Sequence, residues 1–303
     1  MQSVYQQFDT PATDLYTSGM LSYRHAFHAG NHADVLKHLV LTCLLDAFTA
    51  KEKPFTWIDS HAGAGMYRLD STEARTTCEA DQGIRLLVND PDVPDAAKPY
   101  IQLCRSQIAG GLYPGSPAIV RHFLRRRDQL ILCELHTAEI ENLRRNLGGD
   151  SRIHIHHRDG FDALTALTPP EPRRGLAFMD PSYELPQDYQ RTADACRILR
   201  RRWPAATIVL WFPVVGRRAR ELERLRTELY SLSAEVSVLE AVLNVSKPDP
   251  EAGSLWGMTG SGLFIIQPPW KLHEELSVLL PWLSSRLSAA SPDRMWELAE
   301  RMK

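Results

Sequence analysis

Residues 175–183 read Gly-Leu-Ala-Phe-Met-Asp-Pro-Ser-Tyr, and they restrict the fold of this chain more than any other stretch. Five apolar residues in a row, without polar alternation, describe a strand buried on both faces. Such a strand belongs in a sheet covered by helices. Pro181 has no N–H and a fixed φ, so it ends the ladder and sets the turn. The strand tip then presents a carboxylate (Asp180), a rigid turn and an aromatic ring (Tyr183) side by side. Open α/β sheets bind their ligands at the carboxyl ends of strands. An ordinary strand-ending turn has the same composition, so the motif gains weight only from its surroundings.

The surroundings repeat the pattern. Asn31 is placed to cap a helix whose Val35, Leu36, Leu39, Val40, Leu44 and Leu45 recur at helical spacing. Short strands are expected at 55–58, 129–133, 152–156, 175–179 and 207–211, with helices at 118–127, 137–146, 160–167 and 217–230 between them. Ser116 reads as the N-cap of the first of these helices, with Pro117 at its first position. Strands alternating with helices predict an α/β fold built on a mostly parallel sheet. Two further strands, at 235–245 and 262–267, are expected to form an antiparallel hairpin at its edge. Residues 1–19 carry no periodicity and read as a flexible extension, with Met20 the functional beginning. The stretch 66–113, punctuated by Pro91, Pro94, Pro99 and Gly110-Gly111, reads as a small helical insertion. The main domain is then 20–65 with 114–285, and 286–303 is a C-terminal tail.

Composition narrows the class further. The chain has 303 residues, of which 44% are hydrophobic and 24% charged, enough for one large domain with an ample core. No apolar run approaches the roughly 20 residues of a membrane helix. The first residues lack the basic start and apolar core of a secretory signal. Five scattered cysteines with no C-x-x-C pair argue against a disulfide framework or zinc site and for a reducing cytoplasm. The net charge of −2 carries no global signal for nucleic acid, yet arginines cluster at 125–127, 144–145, 173–174, 200–202 and 217–218. Each cluster alone reads as a solvated helix face; only several on one surface would bind a phosphate backbone.

The chemistry-bearing residues fall at strand ends. Asp59-Ser-His-Ala-Gly-Ala-Gly65 follows the first strand, and its small residues let backbone approach a ligand. It lacks G-x-G-x-x-G but suits an S-adenosylmethionine loop, an acidic residue followed by a Gly-x-Gly turn with Gly63 at its centre. A turn used only for strand–helix packing would look similar. Glu134 ends the next strand, where a carboxylate can accept from both hydroxyls of a ribose. It lies 75 positions after Asp59 (134 − 59), against the ~20 of a simple βαβ unit, and the insertion accounts for the excess. Asp159-Gly160 ends the third strand and can accept from an adenine amine. Asp180-Pro-Ser-Tyr183 ends the fourth, where carboxylate and ring suit a flat base with an exocyclic amine. The segment 23–38 packs Tyr23, Arg24, His25, Phe27, His28, His32, Lys37 and His38 together. With no cysteine and one nearby acid it suits an anionic ligand and a stacked base better than a metal, so none is expected.

With these motifs the chain resembles the bacterial 23S ribosomal-RNA adenine-N6 methyltransferase family, RlmJ. The resemblance spans about 20–285. Its carriers are the block 20–38 (Met-Leu-Ser-Tyr-Arg-His-Ala-Phe-His-Ala-Gly-Asn-His-Ala-Asp-Val-Leu-Lys-His), the loop 59–65, Tyr113-Pro-Gly-Ser-Pro117, Glu134-Leu-His136, Asp159-Gly160, Arg173-Arg-Gly175, Asp180-Pro-x-Tyr-Glu184, Gly257-Met-Thr-x-Ser-Gly262 and Pro268-Pro-Trp-Lys271. It implies a class I, Rossmann-like fold with a helical insert, methylating N6 of one adenine in 23S rRNA. Lys37, His38, His61, Gly63, Ser116, Glu134, Asp159 and Gly160 would hold S-adenosylmethionine. Asp180 and Tyr183 would be catalytic, and Tyr23 and His25 would touch RNA. The enzyme would be a cytoplasmic monomer, without metal or membrane. The family usually has a second proline where this chain has Ser182. The residues alone leave open a DNA adenine or a protein glutamine amide as substrate. They also leave open a nicotinamide-dependent dehydrogenase, which the missing G-x-G-x-x-G opposes, and a non-catalytic RNA binder, which Asp180 opposes.

Overall fold

The computed structural model describes residues 24–247, 257–288 and 295–302. The expected extension 1–19, the start at Met20 and Tyr23 lie outside the described residues. Five strands run parallel: β1 (Thr56–Asp59), β2 (Gln129–Glu134), β3 (Ile153–His157), β4 (Gly175–Met179) and β5 (Thr207–Val215). Their spatial order is 3-2-1-4-5, a doubly wound arrangement that reverses direction between β1 and β4. That reversal opens a crevice at the strand C-termini.

The expected antiparallel pair is present as β6 (Val238–Asn244) and β7 (Met258–Ile266), with β7 slotted between β5 and β6. Part of the expected C-terminal tail is structured. Residues 296–301 form β8 (Trp296–Arg301), antiparallel to β6 at the sheet edge, with Glu297, Glu300 and Arg301 exposed. Charged side chains on an edge strand oppose further pairing. β5 also runs past Trp211, with Pro213 opposite Ser261 in its pairing with β7.

Alternate residues of each strand feed two cores, as the pleat requires. Trp57, Leu176, Phe178, Val209, Leu263 and Ile265 face α1 (His32–Thr49), α2 (Ser116–Phe123), α3 (Thr137–Leu147) and, after three more helices, α7 (Leu272–Leu287). Ile58, Ala177, Met179, Ile208, Leu210 and Phe264 face the other three, α4 (Gly160–Ala166), α5 (Gln187–Arg202) and α6 (Ala219–Ser231). Asn31 caps α1 as its position predicts, accepting from Ala33 N and Asp34 N. Ser116 does not cap α2; Gly115 holds that position and the Ser116 hydroxyl is used elsewhere.

The insertion leaves and returns through a two-stranded ribbon, Met66–Arg68 against Leu112–Pro114. Between them lie short helices and the longer helix Lys98–Ile108. Its Ile84, Leu87, Tyr100 and Tyr113 join the same core as α1, so it is packed on the sheet domain rather than hung from it. A polar clamp adds to this: Asp90 accepts from Trp282 Nε1 (2.8 Å) and Arg286 Nε (2.7 Å) on α7.

Candidate active site

The crevice holds a cavity of about 680 Å³, lined by the ends of β1, β2, β4 and β5 and the start of α1. That size suits a small-molecule ligand. On its β1–β2 side the geometry is built around backbone. Glu134 Oε2 accepts from Gly63 N (2.8 Å) and Oε1 from His136 N (2.7 Å). Burial pushes the Glu134 carboxyl up, and the two N–H groups counter it. Gly63 has φ +57, and a Cβ there would lie 2.3 Å from the Tyr67 hydroxyl. At Gly160 a Cβ would stand 2.0 Å from the Ser60 carbonyl oxygen, so the loops after β1 and β3 touch only because that residue is glycine.

Asp159 caps α4 through Phe161 N and Asp162 N and takes both its oxygens to Arg191 Nη2 at 3.0 Å. Burial would raise its carboxyl, but Arg191 and the cap hold it low. Asp59 is wholly buried; Ser116 Oγ donates to it at 2.7 Å and His61 N at 3.2 Å. Burial pushes its carboxyl up to about 7. His61 stands edge-on to Phe161 and His38 bonds Tyr113 Oη at 2.7 Å. Burial lowers both imidazoles, to about 4 and about 3, so each is neutral at pH 7.

The β4–β5 side carries the charges. Lys37 Nζ donates to Asp180 Oδ2 at 2.5 Å and sits 3.1 Å from Asp34 Oδ1. Asp34 Oδ2 in turn lies 2.9 Å from His25 Nε2. Burial would raise the Asp34 carboxyl, but the charges of His25 and Lys37 hold it well below the usual carboxylate range. Lys37, which the resemblance gives to the cofactor, is thus engaged with two carboxylates, and His25 with one of them. Tyr183 has φ +52, which a bulky residue adopts only under constraint. Its hydroxyl donates to the Trp211 carbonyl (2.8 Å) and its ring packs on Tyr189 (4.5 Å). At 4% exposure it lines the cavity floor instead of standing as an open platform.

Three comparisons bear on this site. The family model described as "Ribosomal RNA large subunit methyltransferase D, RlmJ" matches residues 52–298. The chain belongs to this family. It is 40% identical over 274 residues to "Ribosomal RNA large subunit methyltransferase J" of Escherichia coli strain K12, covering 89% of this chain and 95% of that one. The protein of the same name from Haemophilus influenzae is 37% identical over 275 residues, covering 88% and 94%. A crystal structure of a Legionella pneumophila protein superposes with TM-score 0.79 at 32% identity, covering 91% and 98%. The fold is accordingly the class I methyltransferase fold that the family implies, and S-adenosylmethionine is the cofactor.

Of the residues expected at the site, all but Tyr23, which is not described, line the cavity. The neighbours that were missed include Asp34, Arg191, Tyr67 and Trp211. Asp34 was visible in principle, since its i, i+3 spacing from Lys37 puts both on one face of α1. Arg191, Tyr67 and Trp211 reach the cavity through tertiary packing, which no local pattern records. The Trp211 indole N–H is buried and has no partner among the described residues. Among the described residues no group of three or more His, Cys, Asp or Glu side chains is placed to hold a metal, and no helix is long and apolar enough to cross a membrane.

Proposed function

We propose that this chain transfers the methyl group of S-adenosylmethionine to N6 of an adenine in 23S ribosomal RNA, acting as a monomer in the cytoplasm. S-adenosylmethionine supplies an electrophilic methyl group on a sulfonium. Glu134 suits its ribose hydroxyls and Asp159-Gly160 its adenine, with His38, His61, Gly63 and Ser116 completing the cradle. The observation that carries the reading is Asp180. One oxygen is held by Lys37, and Oδ1 has no partner among the described residues. It can therefore accept an N–H of the substrate amine, while the Pro181 carbonyl accepts the other. Both bonds draw the nitrogen lone pair out of the ring and aim it at the methyl group, so orientation does most of the work. The amine then loses a proton to Asp180 or to water. Tyr183 and Trp211 floor and wall the base pocket, and unstacking of the target base costs a few kcal/mol that such contacts offset in part.

Radiolabelled S-adenosylmethionine offered to 23S rRNA transcript, DNA and protein tests the reading, with N6-methyladenosine expected in the RNA digest. Label in DNA or glutamine would select the rival substrates. Asp180→Ala should abolish transfer with S-adenosylhomocysteine affinity within a few-fold. Glu134→Ala should instead weaken that affinity by about 1–3 kcal/mol. Equal loss of cofactor binding in both variants would overturn the division of the site.

A further inference from the structure

Of the arginine clusters only 217–218 reaches the cavity, and the topology gathers three of the other four elsewhere. Four connections, 50–55, 124–128, 150–152 and 169–174, and the last turn of α5 with the connection after it, 200–206, lead into β1, β2, β3, β4 and β5 at the edge opposite the crevice. A sixth segment, 267–271, leaves β7 at the same edge. Together they hold twelve basic residues and four acidic ones, a surplus of eight. The whole chain is −2, so everything else sums to −10. Positive charge is therefore segregated to one end of the molecule.

Side-chain contacts show that these connections adjoin one another. Arg152 Nη1 donates to Leu124 O (2.5 Å), and Arg125 Nη2 and Arg174 Nη1 share Lys53 O (3.1 and 2.7 Å). Trp203 Nε1 donates to Arg173 O (2.5 Å), and Arg200 Nη1 to Gln267 Oε1 (3.0 Å). The stripe crosses six strands, about 24 Å at roughly 4.8 Å per strand. Carboxylates do not cancel it: among the described residues none lies within ion-pair distance of Arg126, Arg127, Arg173 or Arg201, all exposed. Like charges even crowd, since burial and then the charge of Arg125 lower the Arg174 guanidinium. At one end Trp270 stands 81% exposed beside Lys271.

We propose that this edge is a second RNA-docking surface, which grips the phosphate backbone of a helical segment away from the target adenine. The proposal rests on the rRNA substrate proposed above. Nine of the twelve cations are arginines, whose planar fork matches phosphate oxygens bidentately and favours RNA over a merely acidic protein surface. The strands place the stripe roughly 15–20 Å behind the cavity, at about 3.3 Å per residue. It therefore holds a different part of the RNA from the nucleotide being modified, and it reads charge rather than sequence.

The test is a variant carrying Arg126→Gln, Arg127→Gln, Arg173→Gln and Arg201→Gln, with the matching Lys variant as control. A labelled blunt RNA duplex of arbitrary sequence is titrated with each protein over a range of KCl. The Gln variant should lose at least tenfold in affinity, and its log–log salt slope should fall by about 3. The Lys variant should keep the slope. With a full-length 23S rRNA transcript the Gln variant should show KM raised at least fivefold and kcat unchanged. Unchanged duplex affinity and slope would overturn the proposal, as would an equal loss of binding to poly-glutamate. Duplex binding needs no methyl transfer, so failure of the catalytic reading would be seen separately.

Discussion

Lys37, on α1, sits between two carboxylates of the crevice. It is 4% exposed and spans Asp34 and Asp180, so it fixes the carboxylate proposed to meet the amine. Lys37→Met should lower kcat at least tenfold while S-adenosylhomocysteine affinity, by calorimetry, stays within about threefold. A larger loss of that affinity than of kcat would return Lys37 to the cofactor. Ser182, where the family usually has proline, makes no side-chain hydrogen bond among the described residues, and its N–H donates to no backbone carbonyl among them. Ser182→Pro therefore removes no bond and restricts the unfolded chain, which stabilises by roughly 0.4–1 kcal/mol where the backbone is compatible. Turnover within twofold of the parent and an equal or higher Tm are expected. Loss of activity in Ser182→Ala as well as Ser182→Pro would show that the hydroxyl has a role.

At the scale of elements, the insertion is held by specific bonds as well as by apolar contact. Asp90 is nearly buried and receives the Trp282 and Arg286 donors of α7; those bonds, with Arg286 first, keep its carboxyl near 2. Asp90→Ala leaves the indole N–H without its partner and should cost about 1–3 kcal/mol by denaturant titration, with cofactor affinity unchanged. Clean strands and caps were legible in the sequence. The run Gly175–Met179 is a buried strand as written, and Asn31 starts its helix. Legibility failed where the local signal was absent or misleading. β8 is an edge strand of mixed polarity, so it has no apolar run to announce it. The strand expected at 207–211 stops short of Pro213, yet β5 continues through it. Ser116-Pro117 looks like a cap, but a buried carboxylate 57 positions earlier takes the hydroxyl.

Across the whole molecule the site was legible as an order of strand-end acids and illegible as a charge network. Which acid pairs with which cation depends on long-range packing, and so does the depth at which each is buried. That depth has a measurable consequence, because the groups behind the cavity respond to pH with opposite signs. Burial raises Asp59 from 3.8 to about 7, with Asp180 adding to the rise while the Ser116 and His61 bonds and the charge of Lys37 oppose it. Between those values the native state keeps a proton that the unfolded chain has released, so Asp59 lowers stability as pH rises from about 4 to 7. His38 is displaced the other way, from 6.5 to about 3, first by burial, with Asp34 opposing and Lys37 and His25 assisting. Below 6.5 the unfolded chain takes up a proton there that the native state refuses, so His38 lowers stability as pH falls. Asp59→Asn can still accept the Ser116 hydroxyl, and its Tm relative to the parent should climb steadily from pH 4 to 7. His38→Gln, compared in the same way, should climb as pH falls from 6.5 to 4. The slopes are the readout, since any constant loss from altered packing cancels. Flat slopes in the two variants would mean that Asp59 and His38 change protonation in the folded protein much as they do in the unfolded chain.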